Sequence, residues 1–205
     1  MSEYEFEPIR GLPGNLPAGE HILWQGSPNA WAFARSALAT RWIAGYFAAL
    51  VVWAMVRGTL MGVLLTAGLG AVAVALALVF AVSVARTTVY TITNRRVVLR
   101  IGVALSKCIN LPLSQLAAAD LRAQGQGFGD ISLALTTRSN LGYAMLWPHA
   151  RPLQFGSPQP MLRAIPAAAE VAGVLARATA AVKPVQQHVE QPATQPALGG
   201  LEAVA

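Results

Sequence analysis

Acidic residues are missing from nearly half of this chain. From His21 to Ala119 there is no Asp or Glu, while Arg35, Arg41, Arg57, Arg86, Arg95, Arg96, Arg100 and Lys107 all fall there. Charge is scarce overall: 12% of the 205 residues are charged and 55% are apolar. Mean hydropathy is +0.48, high for a soluble domain and ordinary for a membrane protein with one small extramembrane domain. The single Cys108 excludes an intramolecular disulfide and offers no zinc framework; a packed thiol is its default reading. Basic charge is absent from the N-terminus, where Glu3, Glu5 and Glu7 stand, so no cleavable signal is expected. His21, His149 and His188 lie far apart, without carboxylate or cysteine partners at ligand spacing, which argues against a metal site. No nucleophile, base and oxyanion donor come together, so neither enzymatic activity nor a cofactor is expected.

What is present in quantity is apolar sequence. Gly58 to Ala85 is a run of 28 residues with no ionisable side chain, where about 20 helical residues cross a bilayer. The 15 uncharged residues from Trp42 to Val56 reach spanning length if the helix starts near Ser36 and Arg41 and Arg57 snorkel to opposite headgroup layers. Two spans are expected, Ser36 to Val56 and Leu60 to Val84. Arginines lie before and after this hairpin, with Arg57 alone in its connection, so both termini should be cytoplasmic. A nucleic-acid binder would cluster its bases on a soluble fold; here they flank the spans, and no nucleic-acid partner is expected.

The chain then divides into five parts. Residues 1–19 form a flexible N-terminal arm, and residues 20–35, with a short strand and a Gly26-Ser27-Pro28 turn, an interfacial lead-in. Residues 36–85 are the transmembrane helical hairpin. Residues 86–182 are a cytoplasmic domain of short alternating strands, among them Tyr90 to Ile101 with a turn at Asn94, Ile109 to Leu113, Ile131 to Leu135 and Tyr143 to Trp147. From Gln159 to Arg177 polar or helix-weak residues recur at steps of 3 and 4, so an amphipathic helix with Arg163, Glu170 and Arg177 towards water should cap the strands, divided in two if Pro166 breaks it. Residues 183–205, rich in Pro, Gln and Ala, read as a disordered tail.

The GQGFGD loop lacks the spacing of a nucleotide fingerprint and precedes a strand, so it reads as a hairpin turn, with Asp130 capping it or pairing with a base. LWPHARP has two readings: a client-binding corner built on Trp147, His149 and Arg151, or a sharp turn with Trp147 in the core. Arg86, Arg95, Arg96 and Arg100 are candidate membrane-surface contacts, attracted to anionic lipid at about 1 kcal/mol each.

Two apolar helices followed by YTITNRRV, INLPLSQL and the Gly-Asp turn resemble the membrane-anchored bacterial pleckstrin-homology (PH)-like proteins. In order, GEHILWQGSP, ITNRRVVLRIG, GQGFGDISLAL, LWPHARP and PMLRAIP resemble the photosynthetic-complex assembly proteins of purple bacteria (PuhB type), over Gly19 to Val182. The resemblance implies an α+β membrane protein: a two-helix transmembrane hairpin, then a PH-like antiparallel β-barrel of seven strands capped by a C-terminal helix. It implies a non-enzymatic assembly factor for the photosynthetic reaction centre, with a secondary effect on the light-harvesting 1 complex. The partners would be reaction-centre subunits, light-harvesting 1 polypeptides and the lipids of the bacterial inner (photosynthetic) membrane, and self-association is compatible with it. The competing readings are a generic anchored PH-like module that binds lipid headgroups, and a subunit of a transporter or protease complex.

Overall fold

The computed structural model describes residues 11–137 and 141–182. Most of the expected N-terminal arm before Leu12 and the expected disordered tail lie outside the described residues. The described end of the arm is packed, with Leu12 buried and Gly11 so close to Val89 that a side chain there would collide with it.

Three helices precede most of the sheet: α1 (Ala30–Ser36), α2 (Thr40–Val56) and α3 (Leu60–Thr87). Asn29 caps α1 by accepting from the Ala32 N–H at 3.0 Å. Ala39 then takes a left-handed backbone, φ 51°, and the chain bends by 60° between α1 and α2. The expected helix from Ser36 is therefore broken at Ala39, and α2 alone has 17 residues, about 26 Å. Helix α3, with 28 residues and about 42 Å long, is one helix long and apolar enough to cross a membrane. Only 6% of its most apolar stretch is buried, which is not how a core helix of a soluble domain is used. Helix α2 packs along α3, and Gly70 admits the Phe47 ring where a Cβ would come within 2.7 Å.

The described residues form seven strands in two antiparallel sheets. The first has the order β1 (Ile22–Gly26), β2 (Val89–Thr93), β3 (Arg96–Ile101), β4 (Lys107–Pro112); the second has β5 (Leu116–Gly125), β6 (Phe128–Leu135), β7 (Met161–Pro166). No ladder joins the two sheets among the described residues, so the expected closed barrel is absent. The chain leaves β4 through Pro112 and a 3-10 turn, Leu113–Gln115, which takes the backbone out of ladder geometry. Tyr90, Leu99 and Leu111 from one sheet meet Ile131, Leu133 and Leu162 from the other in a single core, closed by Leu175 of α5 (Ala168–Val182).

Three segments differ from expectation. Ile22–Gly26 is not a lead-in to the membrane but the edge strand of the first sheet, paired with β2 from Ile22–Thr93 to Gly26–Tyr90. Met161–Pro166 is a strand, not the first half of a helix: a residue before proline is held extended, which fixes Ile165, and the segment pairs with β6. Tyr143–Leu146 is a single helical turn, α4, not a strand. The glycine-rich loop is the expected hairpin turn, with Gln126 and Gly127 at φ 54° and 76° between the paired Gly125 and Phe128, the signs a type I′ turn needs.

Candidate functional site

Residues 136–160 connect β6 to β7, far longer than a hairpin needs and of the length at which loops carry function. One buried histidine pins this connection. His149 is 1% exposed; its Nδ1 lies 2.7 Å from the Tyr90 hydroxyl and its Nε2 lies 3.4 Å from Thr88 Oγ1. The Tyr90 oxygen already accepts the Arg163 backbone N–H at 3.2 Å, and burial raises the phenol's pKa well above its ordinary value. The phenol thus keeps its proton and donates it to Nδ1, leaving Nε2–H to face Thr88. Burial, and then the nearby Arg163 charge, lower the His149 pKa to about 3, so the ring is neutral at physiological pH. His149 is a core residue and cannot contact a client, which corrects its place in the expected site.

With His149 turned inwards, its neighbours point out. Trp147 is 54% exposed and stacks on Phe80 of α3, ring centroids 5.6 Å apart; neither a core position nor a wholly free surface describes it. Arg151 is half-buried, donating to Asp120 Oδ2 at 2.9 Å and to Gln159 Oε1 at 3.1 Å. Leu153 and Phe155 continue the surface, strongly exposed, with Phe155 against the Tyr143 ring at 4.7 Å. The corner thus offers an apolar ledge beside the end of α3, edged by a paired arginine.

The basic residues separate. Arg86 and Arg95 are exposed. Arg96 is not a free surface base: its Nε and a terminal nitrogen each donate at 2.8 Å to the two oxygens of Glu20. Burial acts to raise the Glu20 carboxyl, but hydrogen bonds from Arg96 and Thr93 and the positive charges of Arg96 and Arg95 outweigh it, and the pKa falls below its ordinary value. Arg100 is buried, not on an outer basic face. Cys108, expected to be packed, is exposed. Among the described residues no three His, Cys, Asp or Glu side chains gather at metal-binding distance.

Sequence reasoning missed the polar cluster behind the corner. Arg163, assigned to a water-facing helical stripe, is buried on β7. Asp130 lies opposite an irregularity in β7, where the pairing jumps from Gly129–Ile165 to Ile131–Leu162. Its Oδ1 accepts the Ala164 N–H at 2.8 Å while Ala164, at φ 51°, gives its carbonyl to the Asn29 N–H at 2.8 Å. Such a bulge re-aims a strand's side chains. The signal for it was Pro166, which marks MLRAI as extended.

Residues 38–179, from just ahead of α2 into α5, match the family described as the bacterial PH domain. The chain belongs to the bacterial PH domain family. An uncharacterized 23.7 kDa protein in the puhA 5′ region of Rhodobacter capsulatus is 38% identical over 210 residues, covering 98% of each chain. A DUF1696 family protein with a pleckstrin-homology domain from Shewanella loihica, known from a crystal structure, is similar at 12% identity over 45% of this chain and 70% of that one, with a TM-score of 0.30; the assignment does not rest on it. Helices α2 and α3 of this PH-family chain, and strands β2 to β7, fall within the matched span.

Proposed function

We propose that this PH-family protein is a non-enzymatic assembly factor for the photosynthetic reaction centre, with a secondary effect on light-harvesting 1. The observation that carries the reading is the end-to-end relationship to a protein encoded beside puhA, a photosynthesis gene. The apolar exterior of α2 and α3 supports a membrane anchor, because a helix apolar on all sides has no stable place in water. The β1–β2 ladder bears on the number of crossings. Strands that share hydrogen bonds lie on one side of a membrane, so a chain inserting through the residues between them crosses an even number of times. The reading takes two crossings, and the arginine distribution favours both termini on the cytoplasmic side.

In this reading Arg86 and Arg95 face the anionic inner leaflet, and the Trp147, Leu153 and Phe155 ledge, with Arg151 at its edge, meets an extramembrane part of a reaction-centre subunit. Exposed aromatic groups beside arginine are what interface centres use. A strain lacking the protein should make reaction-centre polypeptides yet accumulate little assembled complex, seen as loss of near-infrared reaction-centre absorption relative to antenna. Normal assembly in that strain would remove the reading and leave a generic anchored module that binds lipid or another complex.

A further inference from the structure

A cleft of about 420 Å³ opens where the helices join the second sheet, within the ~300–1,000 Å³ range of small-molecule sites. Four arginines from four elements line it: Arg35 at the end of α1, Arg41 in the first turn of α2, Arg122 on β5 and Arg163 on β7, with Gln124 between them and Asp130 as the one carboxylate. Asp130 is already engaged by the Ala164 N–H; burial lowers the Arg163 pKa below its ordinary value, and the Asp130 charge opposes that only in part. The wall therefore holds three positive charges more than negative ones.

The decisive detail is an unmet donor. Arg163 is 6% exposed and one terminal nitrogen donates to the Ala150 carbonyl at 2.8 Å, yet among the described residues its buried Nε has no hydrogen-bond partner, and neither has the buried amide nitrogen of Gln124. A guanidinium Nε–H can only donate, and leaving it buried and unpaired is unfavourable. An acceptor of negative charge satisfies the donors and relieves the gathering of cations together. We propose that this cleft binds a phosphate group. Guanidinium forks match phosphate oxygens in geometry as well as charge. Its position, with Arg41 and the strongly exposed Trp42 at the start of an apolar helix, gives the group two sources: an anionic phospholipid headgroup, or phosphate free in solution.

The test uses the full chain in neutral detergent and in phosphatidylcholine nanodiscs. One arm titrates inorganic phosphate against chloride at matched ionic strength and reads the melting temperature; the other adds phosphatidylglycerol and counts retained lipid by native mass spectrometry. The double variant Arg41→Gln/Arg122→Gln, at two exposed positions, should bind at least tenfold more weakly. Lys107→Gln/Arg177→Gln, which removes equal charge at two exposed positions elsewhere, should bind as the parent does. Gln124→Met keeps every charge and should lose affinity several-fold, so the result does not hang on one variant's folding. Binding of phosphatidylglycerol without a phosphate response assigns the headgroup; an equal response to phosphate assigns the free anion. If neither probe binds beyond its control, or both double variants lose affinity equally, the site does not exist.

Discussion

A neutral imidazole sealed beside a phenol and a guanidinium makes the protein sensitive to acid. With a folded pKa near 3 against 6.5 in the unfolded chain, His149 binds fewer protons folded than unfolded throughout that interval. Stability is therefore complete above about pH 6.5 and falls as pH drops towards 3, by about 1.4 kcal/mol per pH unit. Glu20, also lowered, adds loss in the same direction below its ordinary 4.5. Chemical unfolding in detergent from pH 8 to 4 should show this acid limb. His149→Phe should flatten it between pH 6.5 and 5, while costing about 1–3 kcal/mol at pH 8 because the Tyr90 hydroxyl loses its acceptor. An unchanged limb would mean that His149 is protonated in the fold. Little of this network was legible in sequence, because Thr88, Tyr90, His149 and Arg163 are brought together from up to 75 positions apart. The corner could be recognised as special from Trp, His and Arg between prolines, but which side chains face inwards depends on partners that no local pattern reveals.

Elements were legible where one period persisted. Helix α5 buries Ala168 and Leu175 and exposes Glu170 and Arg177, as the stripe implied, whereas MLRAIP deceived because its residues also fit helical spacing. Stopping the chain after Pro166 should uncover the core beneath Leu175 and lead to aggregation or degradation, while stopping after Val182 should leave membrane abundance unchanged; equal behaviour of the two would deny α5 its capping role. The glycines of α3 separate as sharply. Gly70→Val drives a side chain into Phe47 and should destabilise the α2–α3 contact by about 1–3 kcal/mol. Gly68→Val meets nothing within 4 Å and should melt like the parent, as thermal denaturation in detergent would show. Gly70 is therefore occupied by the contact with α2, whereas Gly68 is not.

For the whole molecule, the proposed two-crossing arrangement can be tested without engineering, since Cys108 is the single cysteine and is exposed on β4. A membrane-impermeant maleimide should label it in inside-out vesicles and spare it in intact cells; the reverse would place the sheets in the periplasm. The long apolar run and the strand-rich half were plain in the sequence, but the membership of Ile22–Gly26 in the first sheet was not, because pairing across both helices leaves no trace in spacing. That pairing also sets a schedule. Strand β1 leaves the ribosome ahead of the entire helical hairpin and must wait for β2, which at bacterial synthesis rates of about 5–20 residues per second comes roughly 3–12 s later. A nascent chain threaded once instead of twice would strand the two in separate compartments, and the domain would never form. In the proposed two-crossing arrangement, completion of the first sheet is thus a checkpoint on insertion, passed only by molecules whose hairpin has gone in and come back.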